Sequence, residues 1–175
     1  MLKKNLKFFK INKLSEIIDL KEYIHFVNDK TVMKYSQHFK KNYNEKDQKK
    51  FILENIKKGN IFFQVFCKKR FIGILLIKNI DVYNKNCMIS YLIGNKSYWG
   101  KGFGSYIVNF GKKYCIKKLK LNTIYTFVHS KNIASIKVLK KNNFLITGKI
   151  RKFYKVNYTN SGWDDKIILS YYYLK

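Results

Sequence analysis

Hydrophobic residues recur along this chain in two rhythms, every second position and every third or fourth, and the switches between them mark out its elements. Residues 5–11 alternate and predict a first strand. Leu14, Ile17, Ile18, Ile24 and Val27 keep helical spacing, which predicts a helix over 13–28. A second helix is predicted from an N-cap at Asn44, with Glu45 and Asp47 in its electropositive first turn, to about Gly59. The apolar runs 61–67 and 71–77 form a hairpin turning at Lys68-Lys69-Arg70, and 87–93 is the next strand. Residues 103–118 predict a helix with Phe103, Ile107, Phe110 and Tyr114 on its core side. A strand follows over 123–128 and a helix over 131–142, where Asn143 tolerates the left-handed turn that glycine usually makes. Residues 144–150 and 166–174 are the closing strands. The order β-α-α-β-β-β-α-β-α-β-β implies an α/β fold of the α+β kind, a mixed sheet of about seven strands flanked by about four helices.

Composition adjusts this picture in three ways. At 175 residues with 46% hydrophobic content, 14 Tyr and 14 Phe, the chain reads as one domain with a sizeable core. No apolar run reaches the roughly 18 residues of a membrane span; 61–77 comes closest, and Lys68-Lys69-Arg70 interrupts it. Residues 1–5 lack the apolar region of a signal peptide, and Cys67, Cys87 and Cys115 are scattered with no C-x-x-C spacing. The expectation is a cytoplasmic, reduced protein with no disulfide framework, no metal site and no membrane span. The net charge of +27 raises the question of nucleic acid. However, Arg70 and Arg151 are the only arginines, and arginine is the residue that nucleic-acid binders use for bidentate contacts. With no proline and a single alanine, Ala134, the lysine excess reads as compositional bias. No dedicated nucleic-acid function is expected; attraction of small anions is.

The chemistry concentrates at Trp99-Gly100-Lys101-Gly102-Phe103-Gly104-Ser105, between the strand 87–93 and the helix after it. A glycine turn that opens a helix aims free N–H groups and the positive end of the helix dipole at one point, which suits a phosphate. A P-loop is excluded, because Gly94 and Gly100 are separated by five residues and Gly102 stands where its hydroxyl residue should follow Lys101. A dinucleotide fingerprint is excluded too, since the turn reads G-x-G-x-G and no carboxylate occurs between 82 and 163.

The turn resembles the acetyl-CoA pyrophosphate loop of the GNAT N-acetyltransferase superfamily, Gln/Arg-x-x-Gly-x-Gly/Ala. Gly102 and Gly104 hold its small positions, and Trp99 stands where Gln or Arg is usual, as in the RimJ/RimL-like branch. Downstream, Asn132-Ile133-Ala134-Ser135-Ile136-Lys137-Val138-Leu139-Lys140-Lys141-Asn142-Asn143-Phe144 is similar to that branch's N-x-x-S-x-x-V-L-x-K-x-G-F. The resemblance covers residues 61–151 closely and the remainder loosely. It implies a GNAT-like fold and transfer of acetyl from acetyl-CoA to a primary amine without a covalent enzyme intermediate. It implies that Leu92, Ile93, Gly94, Trp99, Gly100, Lys101, Gly102, Phe103, Gly104, Ser105, Asn132 and Ser135 line the cofactor cleft. A helix cap with no ligand is the alternative for the glycines.

Departures from the family pattern leave the catalytic groups open. Many GNATs carry a Glu in the strand before the loop, in a pattern like A-E-I-G-Y; here Cys87-Met88-Ile89-Ser90-Tyr91 puts Met88 there. The candidates for the base are His129, at a strand end, and Asp164 or Asp165. The family's Tyr acid is replaced by Leu139, so Ser135 is the candidate acid, with Tyr91 and Tyr154 in reserve. On the acceptor side, residues 32–39 and 46–52 look like GNATs that act on nucleotide-linked amino sugars for surface polysaccharide. That assigns Gln37, His38 and Tyr91 to substrate binding. The alternatives are a protein N-terminal acetyltransferase and a non-catalytic module that binds CoA or nucleic acid; homodimerisation is left open.

Overall fold

A computed structural model of the chain describes residues 5–36, 42–155 and 162–173. Seven strands and four helices follow one another as β1 (Leu6–Ile11), α1 (Leu20–Asn28), α2 (Glu45–Lys57), β2 (Ile61–Cys67), β3 (Arg70–Asp81), β4 (Asn86–Ile93), α3 (Phe103–Lys117), β5 (Thr123–His129), α4 (Ile133–Lys141), β6 (Leu145–Lys155) and β7 (Trp163–Tyr172). This is the order that the periodicity predicts. The strands form one sheet in the order β1-β2-β3-β4-β5-β7-β6, in which β4–β5 is the parallel pair and every other pair is antiparallel.

Strand alternation sends successive side chains to opposite faces, and each face has its own core. On one face, Phe63, Val65, Leu75, Ile77, Cys87, Ile89, Ile124 and Leu169 pack with Ile107, Val108 and Cys115 of α3 and Leu139 of α4. On the other, Phe62, Phe66, Ile74 and Leu76 pack with Tyr23, Phe26 and Val27 of α1 and Ile52 of α2. Full burial of each such side chain is worth about 1.5–3 kcal/mol relative to exposure. Among the described residues, no helix is long and apolar enough to cross a membrane.

The first helix begins later than its pattern predicts. Leu14–Glu16 form a short 3₁₀ turn, and α1 starts only after Asp19, whose side chain accepts a hydrogen bond from the Glu22 N–H. A buried core residue accounts for the delay. Gln64 of β2 accepts from the Ile18 N–H at 2.9 Å and donates to the Glu16 carbonyl at 3.0 Å, so this backbone is satisfied without a helix. Leu14 and Ile17 still pack on the second core, which is why their spacing looks helical. The second helix starts as predicted, with a reciprocal Asn44–Asp47 capping box.

Candidate active site

The pairing between β4 and β5 stops early. Asn86, Cys87 and Met88 pair with Thr123, Ile124 and Tyr125, and the parallel register ends there. Beyond that point β3 holds β4 as far as Ile93, while β7 holds β5 as far as His129. The two strand edges therefore diverge into an opening with Met88 at its vertex. Gly94 donates its N–H to the Ile72 carbonyl across the β3 boundary. Antiparallel alternation then turns the backbone groups of Leu92 toward β3, and those of Tyr91 and Ile93 toward the opening. Of the predicted strand edge, Ile93 thus presents its main chain, Leu92 packs its side chain on the second core, and Gly94 serves packing. A Cβ on Gly94 would lie 1.9 Å from Phe26 Cγ, so only glycine lets α1 approach the end of β4 this closely.

The glycine turn stands at the mouth of this opening. A 3₁₀ turn over Lys96–Tyr98, capped by the Asn95 side chain, leads into it. Trp99 then folds back and donates its indole N–H to the Ile93 carbonyl at 2.8 Å. Gly100 and Gly102 have φ of +70° and +77°, the left-handed region that L side chains rarely adopt, and Gly102 is the N-cap of α3. The first N–H groups of α3, from Phe103, Gly104 and Ser105, have no intrahelical acceptors and sit at the positive end of the helix dipole. Gly104 brings α3 close to its neighbours: a Cβ there would lie 3.3 Å from Val138 Cγ2 and 3.5 Å from Tyr91 Cε2. Ser105 accepts from Asn142 Nδ2 at 2.9 Å, which ties the first turn of α3 to the end of α4. Asn132 caps α4 by accepting from the Ser135 N–H at 3.2 Å.

Two polar pairs flank the opening on opposite faces of the sheet. On the α3–α4 face, the Tyr91 hydroxyl and Ser135 Oγ are 3.2 Å apart. Burial pushes the Tyr91 phenol up, and the Ser135 hydrogen bond opposes this only in part, so the hydroxyl keeps its proton. On the α1–α2 face, His129 Nδ1 lies 3.3 Å from Asp164 Oδ2, with the two side chains 5% and 2% exposed. The Asp164 carboxylate also accepts from the Ser130 hydroxyl, the Asp165 N–H at 2.9 Å and the Lys131 N–H at 3.4 Å. These donors converge with His129 on the buried carboxylate and make it the orienting partner of the imidazole. Burial lowers the His129 pKa below its usual 6.5, against the opposing pull of Asp164, so the ring is neutral at pH 7. Tyr154 lies flat against the ring, with centroids 3.6 Å apart and planes at 11°.

The structure therefore sorts the sequence candidates. Asp164 and Asp165 are adjacent in the chain but diverge in role. Asp165 pairs with Lys149 at 2.8 Å and accepts from the Lys152 N–H, contacts that hold its carboxyl below the usual range. Tyr154 belongs with His129, while Tyr91 and Ser135 form their own pair across the sheet. Lys101 and Phe103 occupy the turn, with Phe103 edge-on to Tyr98 at 4.9 Å. Gln37 and His38 lie outside the described residues. Ser130 was not among the sequence candidates, and no local pattern signals it, because its partner arrives from β7.

Comparison with known proteins agrees with this architecture. The family model of the acetyltransferase (GNAT) domain matches residues 10–145. Acetyltransferase PseH of Campylobacter jejuni is 31% identical over 96 residues, which are 54% of this chain and 57% of that protein. The match thus spans little more than half the length of that curated relative. Among solved structures, spermidine N-acetyltransferase from Vibrio cholerae, in complex with CoA and spermine, superimposes with a TM-score of 0.81 at 18% identity over 95% of each chain. Ribosomal-protein-S5-alanine acetyltransferase from Vibrio fischeri does so with a TM-score of 0.76 at 21% identity, over 95% of this chain and 92% of that one. At these identities the two structures speak for the fold.

Proposed function

The chain belongs to the acetyltransferase (GNAT) family, and from that membership we propose that it moves an acetyl group from acetyl-CoA directly to the primary amine of a nucleotide-linked amino sugar. The observation that carries this reading is the β4–β5 opening with the glycine turn and the α3 N-terminus at its mouth. The residues present fit the donor. Two glycines at positive φ leave a cradle without Cβ atoms, and the first N–H groups of α3 converge on it for the pyrophosphate. Lys101 adds charge, Trp99 braces the turn against Ile93, and Asn132 and Ser135 flank the cleft from α4. The backbone of Tyr91 and Ile93 offers strand-like hydrogen bonds to the pantetheine arm. When bound, acetyl-CoA supplies the activated thioester.

The remaining tasks fall to side chains. His129, neutral and oriented by Asp164, takes the proton from the acceptor ammonium. The Tyr91–Ser135 pair, protonated at pH 7, gives a proton to the departing thiolate. Donor and acceptor then approach from opposite faces of the sheet, with Met88 as an apolar floor where they meet. Gln37 and His38, which lie outside the described residues, are assigned to sugar or phosphate contact on the resemblance of residues 32–39 alone.

The acceptor class rests on the resemblance of residues 32–52, on the PseH match and on charge. A polyamine, the ligand of the Vibrio cholerae structure, is a polycation, and a protein of net charge +27 repels it. Basic ribosomal proteins meet the same repulsion, whereas a diphosphate-linked sugar is attracted. The donor site is tested by thermal unfolding: saturating acetyl-CoA is expected to raise the melting temperature by about 5 °C. No shift at millimolar acetyl-CoA would overturn the assignment of this site.

A further inference from the structure

Lys166, a cation on the α1–α2 face, is held between aromatic rings. Lys166 of β7 lies directly opposite His129 of β5 in the sheet register, so the two side chains share the α1–α2 face. Its Nζ sits 3.7 Å from the centre of the Phe127 ring and 4.1 Å from that of Phe153, between a ring on β5 and a ring on β6. Phe127 stands on the part of β5 whose edge borders the opening. Lys166 is half-buried, and among the described residues it forms no ion pair. The acids beside it in sequence are committed elsewhere, Asp164 to His129 and the Ser130 hydroxyl, and Asp165 to Lys149.

Ring faces attract an ammonium through their quadrupole but do not neutralise it. They also fix it in place, so a long flexible side chain is ordered before any ligand arrives. A pre-positioned, uncompensated cation next to the base is suited to an anion carried by the acceptor itself. We propose that Lys166 is a specificity-determining residue that binds a phosphate oxygen of the acceptor and thereby sets its amine toward His129. This rests on the reading of the opening as the acetyl-transfer site. It adds that the enzyme selects phosphate-bearing amines over the same amines without phosphate.

The alternative is that Lys166 only packs its aliphatic stem over two rings. Lys166→Met keeps that stem and removes the charge, while Lys166→Arg keeps the charge. The test measures kcat and KM by thiol release for a nucleoside-diphosphate-linked amino sugar and for the free amino sugar. It also titrates UDP into enzyme saturated with CoA, so that the donor's own anion site is filled. Lys166→Met is expected to lower the preference for the phosphorylated acceptor by about tenfold or more, through KM, and to weaken UDP binding similarly. Lys166→Arg is expected to restore both. An unchanged preference with wild-type UDP affinity in Lys166→Met would overturn the proposal while leaving the acetyl-transfer reading intact. UDP binding that needs Lys166, without turnover of any amino sugar, would uphold the anion site and reject the amino-sugar acceptor. Wild-type enzyme that binds no UDP in the presence of CoA would overturn the anion site outright.

Discussion

At His129, burial and the Asp164 carboxylate pull the proton affinity in opposite directions, and burial wins. The sign matters for both rate and stability. A base whose folded pKa lies below 6.5 is fully active at neutral pH, so the acidic limb of kcat/KM is expected below pH 6.5. The same shift means that the unfolded chain binds the proton more readily. Stability is therefore complete above the unfolded value and falls as pH drops below about 6.5. His129→Gln is expected to lower kcat by about 100-fold or more and to abolish the acidic limb. Asp164→Asn, which removes the orienting charge, is expected to lower kcat by about tenfold or more. A pH–rate profile of the two variants checks both; a His129→Gln enzyme with wild-type rate at every pH would remove His129 as the base. The sequence offered His129 as a candidate base because the stretch around it lacks acids. Its partner was not legible, since Asp164 and Asp165 look alike until β7 pairs with β5 and sends them to different neighbours.

Helix and strand ends decide the shape of the opening, and two glycines there do different work. Gly94 is required by packing. A Cβ would collide with Phe26 near its own backbone, where the ring cannot swing away, so Gly94→Ala is expected to destabilise the fold by about 2 kcal/mol. Gly102 is required by conformation, since a left-handed N-cap strains any side chain. Gly102→Ala is expected to weaken CoA binding by about tenfold, with a smaller loss of stability than Gly94→Ala. Urea unfolding with a CoA titration separates the two effects, and equal losses in both variants would contradict the assignment. At this scale the sequence was informative where signals are local: the glycine run, the Asn44 cap and the alternating strands. It misled at the start of α1, because Leu14 and Ile17 pack like helical residues while Gln64, from another strand, satisfies the Glu16 carbonyl and the Ile18 N–H between and beside them.

The whole molecule is a sheet split once, at its parallel pair, with a different helical layer on each face. In the proposed reading, donor and acceptor bind on opposite faces and meet at the opening. The element order was readable from periodicity, but the sheet order was not, because it depends on β7 inserting between β5 and β6. The insertion places Asp164 and Lys166 beside His129. The net charge of +27 acts over this scale too, concentrating anions and repelling polycations, with an effect that salt screens. Acetyl transfer to a nucleotide-linked amino sugar is put to the test by a competition reaction. Limiting acetyl-CoA is given to the protein with equimolar UDP-linked amino sugar, spermidine and an alanine-terminated peptide, and the products are read by mass spectrometry. Acetyl is expected on the nucleotide-linked sugar in at least about tenfold excess over the other two. Acetylated spermidine or peptide with no acetylated sugar would contradict it.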